Sequence, residues 1–231
     1  MGMKPSSEGN SMQQSELFPA VAGHIGTDES GKGDYFGPLV VAGFFLEDRQ
    51  KGVLKELGVK DSKTLSDNRC REIADILKRG YVHTLVVIGP EKYNGLYDKM
   101  RNLNRMLAWG HARAIENILA EVPCAKAVTD QFGDEKFVLN ALMKQGKTIE
   151  LVQRTKAEAD LAVAAASILA RAEFLKRLYF LGKECGLDLP KGAGPQVEQA
   201  AVALIRKHGI EALDKVAKRH FKITERVLKV I

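Results

Sequence analysis

Four carboxylates in this chain have neighbours that could turn them to chemistry. Asp28 and Glu29 are adjacent inside GTDESGKGD (residues 26–34). Asp130 closes the short apolar run AVT, and Asp160 opens the alanine-rich run LAVAAASILA. The first motif nearly spells a phosphate-binding loop, with Gly26, Gly31 and Lys32 at the required spacing. Gly33 then stands where such a loop needs a serine or threonine hydroxyl for magnesium, and two acids inside the would-be cradle repel an anion. The inverse chemistry suits these residues better. Adjacent carboxylates beside a glycine-rich turn offer hard oxygen ligands to a divalent cation. Asp130 at a strand end and Asp160 at a helix start would add to them if the fold brings all four together. Taken singly, each is equally an ordinary turn acid or a first-turn helix acid.

The elements that must position these groups follow from periodicity. Residues 24–28 predict a short strand that Asp28 ends, with Glu29 beginning the turn. The apolar run 38–46 predicts its hairpin partner. Ile73, Ile76 and Leu77 predict a helix over 67–79, capped by Ser66 and stopped at Gly80. A strand follows at 81–88, then a helical stretch over 91–120 with a break and a new cap at Asn102 or Asn104. Strands at 126–129 and 148–152 bracket a helix at 134–144. A long helix over 156–181 has side chains so small that it must pack very close to something, and two amphipathic helices broken at Gly209 fill 195–229. This order predicts an α/β fold: a mixed β-sheet flanked by helices, with a C-terminal helical extension over about 186–231. Residues 1–20 are polar and predict a flexible tail, which leaves 21–231 as the folded domain.

The motifs together resemble the type 2 ribonucleases H, and specifically the ribonuclease HIII branch. The resemblance is carried by GTDESGKGDYFGPLVVA (26–42), DSKTL (61–65), Tyr93 with Asn94, NLN (102–104), LAWGHARAIEN (107–117), DQF (130–132) and DLAVAAASI (160–168). It implies a ribonuclease H-like fold and an endonuclease that hydrolyses the RNA strand of RNA–DNA hybrids, leaving 5′-phosphate and 3′-hydroxyl ends. It assigns Asp28, Glu29, Asp130 and Asp160 as catalytic metal ligands for Mg²⁺, or Mn²⁺, two ions per site when substrate is bound. It also makes Ser30, Gly31, Lys32, Gly33 and Lys63 substrate-binding residues, the glycine turn sensing ribose 2′-hydroxyls and Lys63 a phosphate. The family's usual N-terminal substrate-binding domain has no counterpart in the polar residues before the first strand. Cleavage at single ribonucleotides in DNA, as by ribonuclease HII, is the alternative. It is disfavoured because the segment 189–197 lacks an aromatic residue to read the junction, Tyr179 being the last tyrosine. A non-catalytic hybrid-binding module is the other alternative, but binding a polyanion gains nothing from four acids.

Composition agrees with an anionic partner. The net charge is +6 at pH 7, and the last 61 residues, with thirteen basic and seven acidic side chains, carry all of it. Lys215, Lys218, Arg219 and Lys222 could therefore follow a phosphate backbone, or simply form a solvated face. Three scattered cysteines fit neither a disulfide framework nor a metal-binding spacing. The sequence carries no transmembrane run and no signal peptide, so a cytoplasmic monomer is expected. His111 and Trp109 read as helix packing.

Overall fold

Apolar residues, with Val40, Val41, Phe44 and Phe45 among them, make up nearly all of Leu39–Glu47, and the stretch is buried on both faces almost throughout, as a central strand should be. A computed structural model of the chain describes residues 22–231 except 132, 135 and 144. Among these residues the sheet has five strands: β1 (Gly23–Ser30), β2 (Leu39–Glu47), β3 (His83–Ile88), β4 (Lys126–Asp130) and β5 (Glu150–Arg154), in the spatial order β3-β2-β1-β4-β5. β1, β2 and β3 pair antiparallel, whereas β4 joins β1 and β5 joins β4 in parallel. The mixed sheet expected from the order of elements is therefore present. The expected tail at residues 1–20 lies outside the described residues.

Helices cover both faces. They are α1 (Lys51–Leu57), α2 (Asp67–Gly80), α3 (Pro90–Met100), α4 (Leu103–Leu119), α5 (Lys136–Ala141), α6 (Leu161–Cys185), α7 (Pro195–His208), α8 (Ala212–Val216) and α9 (Lys222–Leu228). Ser66 caps α2 as expected, its hydroxyl accepting from the Arg69 N–H at 3.2 Å. The predicted helix 91–120 breaks at Arg101, whose φ of 49° ends α3, and Asn102 caps α4 by accepting from Arg105 N–H. The C-terminal segment forms three helices rather than two. No helix among the described residues is long and apolar enough to cross a membrane.

Close approach of α6 to the sheet positions most of the site. A Cβ at Gly26 of β1 would lie 2.2 Å from the Ala162 carbonyl carbon and 2.3 Å from the Val163 nitrogen, so backbone packs on backbone. That contact explains the alanine run. A larger side chain on either partner would hold helix and sheet apart. α6 begins at Leu161 and not at residue 156. Lys156 has φ 57°, and Ala157–Ala159 form a turn of 3-10 helix before the helix proper.

The C-terminal extension folds back on the turn after β1. Lys218 is fully buried, and its ammonium donates to the carbonyls of Asp34 (2.8 Å) and Gly37 (2.7 Å). Gly37 N–H donates to Val216 O, Lys218 N–H to Tyr35 O, and Tyr35 N–H to Gly192 O. The expectation that Lys218 lies along a phosphate backbone is thus overturned. The extension braces the turn from behind, and burial removes this cation from any external anion.

Candidate active site

β1 and β4 carry the first three acids. β1 runs on through Ser30, so Asp28 and Glu29 both lie within the strand and not at its end and the following turn. Successive strand side chains face opposite sides. Asp28 accordingly faces α6, where it bonds the Ser167 hydroxyl, and Glu29 faces α4, where His111 Nε2 lies 3.2 Å from its Oε2. Thr27 pairs in register with Thr129, which sets Asp28 and Asp130 side by side on neighbouring strands, one residue further on. Asp28, Glu29 and Asp130 line one open cavity of about 550 Å³, together with Lys32, Lys63 and Arg171.

The electrostatics of that cavity divide its two adjacent acids. Burial, and then the charge of Glu29, push the Asp28 carboxyl up to about 8, and Asp130 adds to the rise. Burial alone would also raise Glu29. The hydrogen bond and charge of His111, followed by Lys32 at 3.4 Å, override it and hold Glu29 down to about 2. Arg171 also lines the cavity, but its guanidinium bonds Asp67 (2.6 Å) and the Ser62 carbonyl instead of these acids. Carboxylates that repel each other across one cavity suit a hard divalent ion, which takes oxygen ligands and relieves the repulsion.

Asp160 does not join them. Its Oδ1 caps α6, accepting from Ala162 N–H (2.9 Å) and Val163 N–H (3.4 Å), and both of its oxygens meet His24 Nε2 at 2.8–2.9 Å. Arg154 approaches the same carboxylate at 3.5 Å. His24 stands four residues before Asp28 on β1, about 13 Å away along a strand. From the helix side, Ser167 touches Asp28 seven residues after Asp160, about 10.5 Å up the axis. The structure does not bring Asp160, expected from the sequence as a metal ligand, into this cavity: its oxygens cap the helix and meet a histidine at the far end of β1. The half-buried Glu158 is a second candidate for the fourth acid. It sits on the 3-10 turn whose first residue, Ala157, donates its N–H to Asp130 Oδ1 at 3.3 Å. The signal that could have found it is the same left-handed Lys156 that delays the helix, and periodicity does not encode it.

The expected substrate residues lie around this cavity. Ser30, Gly31, Lys32, Gly33 and Lys63 all line it. The two glycines differ in purpose. Gly31 has φ 88°, and a Cβ there would come within 2.2 Å of Pro38 O, so it serves the chain's own turn. Around Gly33 there is open space, so this glycine leaves room for a ligand's backbone. The Lys63 side chain lies on a short 3-10 turn capped by Asp61, which accepts the Lys63 backbone N–H at 3.0 Å.

Comparison with known proteins agrees with this geometry. A family model described as ribonuclease HII matches residues 25–224. Ribonuclease HIII of Protochlamydia amoebophila is 48% identical over 205 residues, which cover 89% of this chain and 68% of that protein. Ribonuclease HIII of Bacillus mycoides is 43% identical over 213 residues, 90% of this chain and 68% of that protein. Among solved structures, that of Bst-RNase HIII in complex with Mn²⁺ superposes with a TM-score of 0.84 at 34% identity, covering 97% of this chain and 76% of that one. A shared fold, a cavity of strand-borne acids and a match of this extent lead to one conclusion: the chain belongs to the type 2 ribonuclease H family, in its ribonuclease HIII branch.

Proposed function

We propose that this endoribonuclease hydrolyses the RNA strand of RNA–DNA hybrids, leaving 5′-phosphate and 3′-hydroxyl ends, with two divalent cations held by Asp28, Glu29, Asp130 and Glu158. The observation that carries the reading is the cavity lined by three carboxylates from adjoining strands, where burial, with their mutual repulsion, pushes Asp28 up to about 8. The Mn²⁺ bound by the Bst enzyme supports a divalent ion here too, with Mg²⁺ as the alternative occupant. When bound, such ions neutralise the scissile phosphate and make an attacking water more acidic.

The chain's own residues do the rest. Lys32 and Lys63, at the cavity rim, attract the phosphates that flank the cut. The turn at Ser30, Gly31, Lys32 and Gly33 presents its backbone where Gly33 leaves space, so it can meet ribose 2′-hydroxyls, which DNA lacks. Lys218 holds the residues just after that turn by their carbonyls, fixing the backbone before substrate arrives. The test is an end-labelled hybrid incubated with and without Mg²⁺ or Mn²⁺. Internal cuts in the RNA strand ending in 3′-hydroxyls, and only with metal, are expected. Metal-independent cutting, or 3′-phosphate ends, would overturn the reading.

A further inference from the structure

His111 is the buried ring that ties the acid-bearing strands together. It is fully buried, on α4, on the opposite face of the sheet from Asp28 and Asp130. Its Nδ1 lies 2.8 Å from Thr27 Oγ1 and 3.2 Å from Thr129 Oγ1, and its Nε2 lies 3.2 Å from Glu29 Oε2. Thr27 and Thr129 are register partners on β1 and β4, and each immediately precedes an acid of the site. One ring therefore touches the residue before Asp28, the residue before Asp130, and Glu29 itself.

The chemistry of the partners fixes the ring's orientation. A carboxylate only accepts, so the nitrogen facing Glu29 must carry a proton. The hydroxyls can donate or accept, so both satisfy the other nitrogen whatever it carries. α4 can come this close because Gly110, next to His111, has no side chain; a Cβ there would lie 2.7 Å from Val41 Cγ2. Such an arrangement exceeds what packing needs, because an apolar residue of similar volume would fill the space without demanding three polar partners.

We infer that His111 is a positioning residue: it sets the spacing of Asp28, Glu29 and Asp130 and aims the Glu29 carboxylate, and so determines how tightly the site holds a divalent cation. The inference rests on the reading that these acids bind metal. Groups that orient ligating carboxylates typically change metal affinity by about 10- to 100-fold when removed.

The experiment measures Mn²⁺ binding by calorimetry and by electron paramagnetic resonance on the metal-free protein, independently of cleavage. His111→Ala is expected to weaken Mn²⁺ binding at least tenfold. His111→Gln can reach Glu29 with an amide N–H and is expected to recover most of the affinity. His111→Asn is too short to do so and should stay weak. Because a buried ring can be needed for folding, the comparison of Gln with Asn, each checked by its melting curve, is decisive if the alanine variant unfolds. Equal Mn²⁺ affinity for the Gln and Asn variants, or affinity within twofold of the parent chain for a folded His111→Ala, would overturn the inference. Asp28→Asn separates the two levels. If it binds Mn²⁺ as tightly as the parent chain, the metal site itself is misplaced; if it loses binding while His111→Ala does not, only the role of His111 falls.

Discussion

Replacing Asp160 and Glu158 in turn separates stability from activity at two acids two residues apart. Asp160→Ala removes the cap of a 25-residue helix, two N–H bonds and the partner of His24. Loss of a helix cap costs about 1 kcal/mol, in a range of roughly 0.5–2. Loss of the half-buried acid from the positive helix end and from His24 adds about 1 more. For a chain of this length about 2 kcal/mol lowers Tm by roughly 4–8 °C. Asp160→Asn still caps with its amide oxygen and loses only the charge, so Tm should drop by about 1–4 °C. Both variants should cut hybrid at near-parent rates at a temperature where they are folded. Glu158→Gln is expected to do the reverse, with Tm held and kcat down at least about a hundredfold, near 2.7 kcal/mol of barrier. Acid adds a second readout. Burial opposes ionisation of Asp160, but the His24 hydrogen bond and the two backbone N–H groups override it and hold its carboxyl below the ordinary value. A carboxyl depressed in the folded state stabilises above its unfolded value, and that contribution is lost as pH falls below about 4. The parent should therefore lose more stability than Asp160→Asn on acidification through that range. An inactive Asp160→Asn with unchanged Tm, together with an active Glu158→Gln, would refute the reasoning.

Gly26→Ala should destabilise by about 3 kcal/mol or more in urea unfolding, since its methyl would meet α6 backbone at 2.2 Å and backbone cannot rotate away; a change under 1 kcal/mol would mean that α6 shifts freely. Burial pulls the Lys218 ammonium down to about 7 although Asp34's charge opposes the fall, so between pH 7 and 10.5 the unfolded chain binds more protons than the folded one. Stability of the parent relative to Lys218→Met should therefore rise with pH across that window, and a flat difference in chemical denaturation would contradict it. The segment over 189–197 offers no aromatic ring, and Tyr179 lies exposed on α6 beyond the cavity. A hybrid with four or more consecutive ribonucleotides should accordingly be cut much faster than a duplex with one, and equal rates would require another residue that reads the junction.

What the sequence determined by itself was local or binary. Ser66 caps its helix as expected, and of the two asparagines the sequence offered Asn102 caps the next, because a side-chain oxygen three residues ahead of a free N–H acts within one turn. The alternating stretches became strands, and the alanines of residues 161–170 announced a close contact before its partner, Gly26, was known. The pair Asp28 and Glu29 and the strand-end Asp130 were legible as acids that could serve a cation only if the fold gathered them, and the register of β1 and β4 sets them around one cavity. What only the tertiary structure decided was which groups face each other. Asp160 and Glu158 are both acids on the approach to one helix, and it is the left-handed turn at Lys156 that brings Ala157 N–H to Asp130 and leaves Asp160 to cap α6 and meet His24. Lys218 looked like a surface cation until three carbonyls of the 34–37 turn closed around it, at separations of more than 180 residues. His111 is a helix-face histidine by pattern, and it reaches Glu29 only because β1 and β4 pair in register beneath α4. Short-range preferences act through bonds that sequence neighbours share, whereas the facing of side chains across layers depends on the register and close packing of the whole sheet, which no local window contains.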